Sequence, residues 1–253
     1  MSLVKTLYYK LLNVVTFGKG VKRRINGFDL RFPARWSRYY PADYENENYA
    51  FLKSFVKPGM HVVDIGAHIG LFSAVSSQLV GASGKVVSFE PTPGTYKILS
   101  ETLRLSGCEN VNAVQAAVSE KPGHATFYIS SIEGCNSNSL VNNKENEELN
   151  KFDVELVTID SLGSKYNVKP DLIKIDAEGA ELDVLKGGTQ LLSTSKPALI
   201  LGLHPSFIQT KGDSLDQIWD FLQQMKYEVQ LNGKAIGREE FCSKELIFDV
   251  NCL

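Results

Sequence analysis

A doubly wound α/β fold with a mostly parallel sheet is what this sequence predicts, on three observations. Short β-branched apolar runs alternate with helix-length segments from residue 61 onward, one run passes straight into a glycine turn, and the next ends in a carboxylate. With 253 residues, 43% hydrophobic and 22% charged, the chain can bury one sizeable core but hardly two. A single main domain over residues 45–253, preceded by an extension over residues 1–44, is therefore expected.

Taken in order, residues 1–17 have the periodicity of an amphipathic helix. Lys5, Thr6, Lys10 and Asn13 share one arc, Leu7, Leu11, Val14 and Val15 lie opposite, and Gly18 and Gly20 end it. Two readings stay open: a helix packed on the core, or an interfacial helix giving peripheral membrane contact through residues 1–24. Parallel strands are expected at His61–Gly66, Lys85–Glu90, Val111–Val118, Asp171–Asp176 and Ala198–His204. Helices are expected at Leu71–Val80, Thr95–Leu105, Glu181–Leu192 and Leu215–Met225. Tyr227–Leu231 and Leu246–Val250 read as an antiparallel pair. Between the third and fourth parallel runs, His124–Ser130 and Val154–Ile159 read as strands flanking a polar insertion loop, about residues 131–152, expected to be mobile.

Charge is uneven along the chain. Residues 1–40 hold nine bases and one acid, a net of +8 against a total of −2, so residues 41–253 carry −10. The basic end suits an anionic partner, whereas the acidic remainder disfavours nucleic acid. Cys108, Cys135, Cys242 and Cys252 show neither a CxxC pair nor zinc-like spacing and read as buried or free thiols in a reducing compartment. No run of eighteen apolar residues and no signal-like segment occurs, so a cytoplasmic location is expected, with membrane-peripheral contact if the first helix is interfacial.

The sharpest chemical signal is Val62-Val63-Asp64-Ile65-Gly66-Ala67-His68-Ile69-Gly70, a buried strand entering a glycine turn. As a dinucleotide fingerprint it fails, because glycine is required where His68 and Leu71 stand. Twenty residues after Gly70 comes Phe89-Glu90-Pro91, which presents an acid able to accept both hydroxyls of a ribose. A nucleoside without a pyrophosphate is the ligand this pattern favours.

These segments, together with Asp171-Leu172-Ile173-Lys174-Ile175-Asp176-Ala177-Glu178-Gly179-Ala180-Glu181, resemble the FkbM family of class I methyltransferases over roughly residues 45–205. The resemblance implies a Rossmann-like seven-stranded sheet with a reversed last strand. It also implies S-adenosyl-L-methionine as methyl donor, S-adenosyl-L-homocysteine as product, and O-methylation of a sugar, glycan or natural-product hydroxyl. By the same resemblance Gly66, Ala67 and Gly70 wrap the methionine part and Glu90 holds the ribose. Asp64, His68, Pro91, Ala117 and Asp176 complete the candidate cofactor set. The chain departs from the family pattern at His68, where asparagine is common, and at Gly202, where glutamate is common.

Methyl transfer to an alcohol needs an in-line approach and a group to take the proton. Candidates are Asp176 and Glu178 after the fourth parallel strand and His204 after the fifth, with His204 the first choice of base because its ordinary pKa lies near neutrality. Helix capping is the alternative role for Asp176 and Glu178. A divalent metal is not favoured, since two carboxylates and an imidazole are an incomplete hard-ion set. The rival functions are a non-catalytic nucleoside-binding module and a nucleic-acid methyltransferase.

Overall fold

The computed structural model describes residues 3–129 and 150–253; most of the expected insertion loop, and Cys135 with it, lies outside them. The chain begins with α1 (Leu3–Val15), β1 (Val21–Ile25), β2 (Phe28–Phe32), a 3-10 turn at Ala34–Trp36 and α2 (Asn46–Phe55). It continues through β3 (His61–Ile65), α3 (Leu71–Val80), β4 (Lys85–Phe89), α4 (Pro93–Ser106), β5 (Val111–Val114), β6 (Ala117–Val118), β7 (Gly123–Ile129) and β8 (Asn150–Val157). Then come α5 (Leu162–Tyr166), β9 (Leu172–Asp176), α6 (Glu181–Lys186), α7 (Thr189–Thr194), β10 (Ala198–Leu203), α8 (Pro205–Lys211) and α9 (Leu215–Gln224). The last elements are β11 (Val229–Leu231), β12 (Lys234–Ala235), α10 (Arg238–Cys242) and β13 (Phe248–Cys252).

The central sheet runs β12-β11-β13-β10-β9-β3-β4-β5, with β10, β9, β3, β4 and β5 parallel. Strand β13 is reversed and lies between β10 and β11, antiparallel to both. The expected seven strands are thus present, and the two-residue β12 adds an eighth at the edge through an Asn232-Gly233 turn with positive φ at both residues.

Side-chain alternation along the strands builds two cores. Val63, Val87, Ile173, Ile175, Leu199 and Leu201 face α6 and α9, where Leu182, Leu185, Ile218 and Leu222 are buried. On the other face Val62, Val86, Leu172 and Ile200 pack against Leu71, Val75, Leu99 and Leu103 of α3 and α4. This second core also takes in Ile25, Leu30 and Phe32 from the β1–β2 hairpin, closed by Asn26-Gly27, and Tyr49 and Leu52 from α2. The sequence reading assigned no strands to this stretch.

Two expected elements are broken. The run 111–118 leaves the central sheet after Val114, and its last residues form β6, which joins β7 and β8 in a separate three-stranded sheet. The expected helix 181–192 is split at Gly187-Gly188, because the chain there passes so close to its neighbours that a side chain has no room. A Cβ on Gly187 would lie 2.1 Å from the Ser119 carbonyl oxygen, and one on Gly188 2.9 Å from Ile159. Asp160 then accepts from the amides of Gln190 and Leu191 at 3.1 and 2.7 Å and starts α7 afresh. Cys108, Cys242 and Cys252 are free thiols. Among the described residues no helix is long and apolar enough to cross a membrane.

Candidate active site

The same alternation that buries apolar residues on the α3 face places a polar row there toward the carboxyl ends of the strands. Ser88, Asp64 and Lys174 are direct register partners on β4, β3 and β9, and Asp176, Gly202 and Asp249 are successive partners on β9, β10 and β13. Open α/β sheets bind ligands at this edge, and here it opens into a cleft of about 450 Å³. Of the sequence-derived candidates, Asp64, Gly66, Ala67, His68, Glu90, Pro91, Ala117, Asp176, Glu178 and His204 all line it. Gly70 does not. It starts α3 at φ 91°, where a Cβ would lie 2.7 Å from Leu99, so its smallness serves the packing of α3 on α4.

Gly66 is the tightest point of the turn. At φ 79°, a Cβ there would lie 1.9 Å from the Asp176 carbonyl oxygen, so the turn after β3 rests directly on the end of β9. The amides of Gly66 and Ala67 both donate to the Phe89 carbonyl at 3.0 and 2.9 Å, tying the turn to β4. Glu90 follows at once, 6% exposed, and accepts from the amides of His68 at 3.0 Å and Thr92 at 2.9 Å. Burial pushes its carboxyl up to about 7 despite these donors.

His68 adopts φ 49°. Burial pulls its imidazole down to about 4, so the ring is neutral at physiological pH. The Tyr40 hydroxyl, held far above the ordinary phenol range by burial, lies 2.9 Å from Nδ1, and donation there leaves Nε2 as the N–H. That Nε2 is buried and has no hydrogen-bond partner among the described residues, and the same holds for Asp64 Oδ1. The other Asp64 oxygen accepts from Ser73 Oγ at 2.5 Å. Burial raises the Asp64 carboxyl, an effect that Lys174 and Ser73 partly offset.

Lys174, 6% exposed, donates to Asp176 Oδ2 at 2.9 Å and lies 5.7 Å from the Phe72 ring centre. Burial acts against both charges of this pair. Their mutual attraction prevails, so the lysine is raised and the aspartate lowered from their ordinary values. Asp176 is thereby engaged in an ion pair, and the N-cap position of α6 is held by Ala180, which has no polar side chain.

His204 ends β10 with its ring clamped. Its Nδ1 lies 3.1 Å from Glu181 Oε1, its Nε2 3.7 Å from Asp176 Oδ1, and its ring stacks on Phe207 at 6.0 Å. Glu181, wholly buried, is fixed in turn by the Gly179 amide, which donates to both its oxygens at 3.0 Å. Burial disfavours the imidazolium, but Glu181 and Asp176 outweigh it and raise the His204 pKa above the ordinary histidine value. The arrangement is that of a base oriented by a buried acid, with Nε2 left to take a proton.

Several cleft residues have no counterpart in the sequence reading. Tyr40, Tyr44, Glu45 and Tyr49 come from the segment around α2, Lys174 from within β9, and Ile247 and Asp249 from β13 and its approach. Burial, then the nearby Glu45 charge, lift Asp249 to about 6. A charged lysine inside an apolar parallel strand was the available signal for Lys174, because such a group is buried only when paired. Among the described residues, no group of three or more His, Cys, Asp or Glu side chains is placed to hold a metal ion.

Comparison with known proteins places this geometry in context. The family model described as the methyltransferase FkbM domain matches residues 64–229, about two thirds of the chain. The chain is 32% identical over 156 residues to methyltransferase sdnD of Sordaria araneosa, a match covering 50% of this chain and 59% of that protein. It is 30% identical over 133 residues to the hexuronic acid methyltransferase AglP of Haloferax volcanii, covering 52% and 51% respectively. The matched part therefore spans little more than half the length of these relatives. A crystal structure of an rRNA-methylase candidate from Clostridium thermocellum superposes with a TM-score of 0.50 at 13% identity, covering 82% of this chain and 92% of that one, and shares the fold.

Proposed function

Because the chain belongs to the FkbM methyltransferase family, we propose that it carries a methyl group from S-adenosyl-L-methionine to a hydroxyl oxygen of a sugar, glycan or natural product. The observation that carries this reading is the meeting, in one cleft, of a buried carboxylate suited to a ribose and a histidine oriented by a second buried acid. The likeness to a hexuronic acid methyltransferase supports a sugar as acceptor.

The residues present fit the cofactor. Gly66 lines the cleft with bare backbone, Glu90 can accept two ribose hydroxyls, and Phe89 with Ala116, Ala117 and Val118 offers an apolar strip for an adenine. Asp64 Oδ1 and His68 Nε2, buried without partners among the described residues, suit an ammonium and a carboxylate respectively. When bound, the cofactor supplies an electrophilic methyl group on a sulfonium. The protein's part is then to align the acceptor oxygen and remove its proton. His204 Nε2 takes the proton, Glu181 holds the ring and steadies the imidazolium, and Asp176 lies close enough to share its charge. Glu178, also on the cleft wall, is the second choice of base.

Calorimetry with S-adenosyl-L-methionine, followed by mass spectrometry of a panel of hydroxylated acceptors, tests the reading directly. Cofactor binding with no acceptor methylated would leave a nucleoside-binding module, and failure to bind would remove the assignment altogether. Glu90→Ala is expected to weaken cofactor binding by about 1.5–3 kcal/mol, the range for a hydrogen bond to a charged group. The pH dependence has a definite sign. Ribose hydroxyls donate to the ionised carboxylate, whose pKa in the free protein is about 7, so affinity should rise as pH passes upward through about 7 and then level. A Glu90→Gln protein should lack that rise; a wild-type affinity flat between pH 6 and 8, as roughly one unit either side of that value, would take Glu90 out of the ribose site.

A further inference from the structure

Helix α1 carries an apolar stripe that stands open. Leu7, Leu11, Val14 and Val15 are 58–70% exposed and Phe17 is 87% exposed. The first four recur at helical spacing and lie on one face. The helix is held from another side, where it lies against the Ala34–Trp36 turn. There Arg38 donates to the Tyr8 hydroxyl at 3.3 Å, with its guanidinium 5.8 Å from the Tyr8 ring centre. The stripe is thus not the face by which α1 joins the described residues, and among them it is not packed on the core, one of the two readings open from sequence.

The segment that follows the stripe is cationic. Lys19, Lys22, Arg24, Arg35 and Arg38 are exposed, and the one acid before residue 41, Asp29, is paired with Lys22 at 2.9 Å. An open apolar stripe followed at once by exposed bases matches one kind of surface, an anionic lipid bilayer, in which apolar groups enter the acyl boundary while lysine and arginine stay among the headgroup phosphates. We propose that α1 and the basic segment after it dock the protein on an anionic membrane surface.

Docking there has a consequence for the substrate that rests on the function proposed above. The turn that supports α1 continues into the cleft wall: Trp36 and Tyr39 rings lie 5.7 Å apart, Tyr39 is 5.1 Å from the His68 ring, and Tyr40 bonds to His68. A membrane-seated α1 brings this wall to the headgroup layer, which favours a hydroxyl carried on a lipid-borne acceptor over one free in solution.

The test is co-sedimentation of the full chain with phosphatidylcholine vesicles, with and without phosphatidylserine, at about 0.1 M and about 1 M salt, where the screening length falls from about 10 to about 3 Å. Sedimentation with the serine-containing vesicles at low salt, at least about tenfold weaker at high salt or without the anionic lipid, is expected. A Leu11→Glu/Val14→Glu protein should lose the binding while keeping its melting temperature and cofactor affinity, since both sites are on the open face. No binding by the parent protein overturns the proposal, and so does full binding by the double variant, which would reduce the contact to charge alone. A dimer in sedimentation velocity that the double variant abolishes would also overturn it, by showing that a second copy covers the stripe. These readouts register binding and not turnover, so their failure is separate from failure of the methyltransferase reading.

Discussion

His204→Ala is expected to lower kcat by about 10²–10⁴, the usual contribution of a positioned base, with cofactor affinity nearly unchanged. The imidazole has its orientation fixed on both sides, by Glu181 at Nδ1 and by the Phe207 stack. A base must be unprotonated to act, and here the folded-state pKa is raised. Log kcat should therefore climb with pH through a value above the ordinary histidine pKa and then level, provided the chemical step limits turnover. Glu181→Gln removes one of the two acids that raise that pKa, and the climb should move to lower pH in that variant. Turnover by His204→Ala near the parent rate would transfer the role to Glu178.

Asp176→Asn is expected to act on stability as well as on activity. Lys174 sits at 6% exposure with the half-buried Asp176 as its direct partner, and leaving a buried charge uncompensated costs up to about 3–5 kcal/mol. Asp64, the register partner of Lys174, still supplies an opposing charge, so the lower end of that range is expected. In a chain of this size that loss lowers the melting temperature by roughly 6–12 °C. The double variant Lys174→Met/Asp176→Asn should recover most of it, and a single variant that melts with the parent protein would show that Asp64 alone suffices for the lysine.

How much of this was legible in the sequence depends on whether the signal is local. Strands β3, β4, β9 and β10 were readable because strands buried on both faces are continuous β-branched runs, and Leu71–Val80 was readable to the residue. The glycine turn and Glu90 were readable because backbone approach and strand-end position are fixed by spacing along the chain. The β1–β2 hairpin was missed although Asn26-Gly27 is a strong turn signal. Its outward bases hid the alternation of Val21, Arg23 and Ile25 with Phe28, Leu30 and Phe32. The break at Gly187-Gly188 follows from the nearness of Ser119 and Ile159, which lie far away in sequence. Glu181 read as the opening residue of a helix. Its bond to His204 exists only because β9 and β10 are neighbours, and the approach of Asp249 likewise depends on β13 entering beside β10.

That placement of β13 bears on the order in which the protein can be made. The cleft is walled on one side by Tyr40, Tyr44 and Glu45 and on another by Ile247 and Asp249, about two hundred residues later, and β13 belongs inside the sheet rather than at its margin. Until residue 252 has left the ribosome, β10 has a bare edge of unpaired amides and carbonyls, and the β11–β12 pair has no link to the rest of the sheet. The edge of β10 therefore stands open while residues 204–252 are made, and the cleft gains the wall formed by Ile247 and Asp249 only once they have followed.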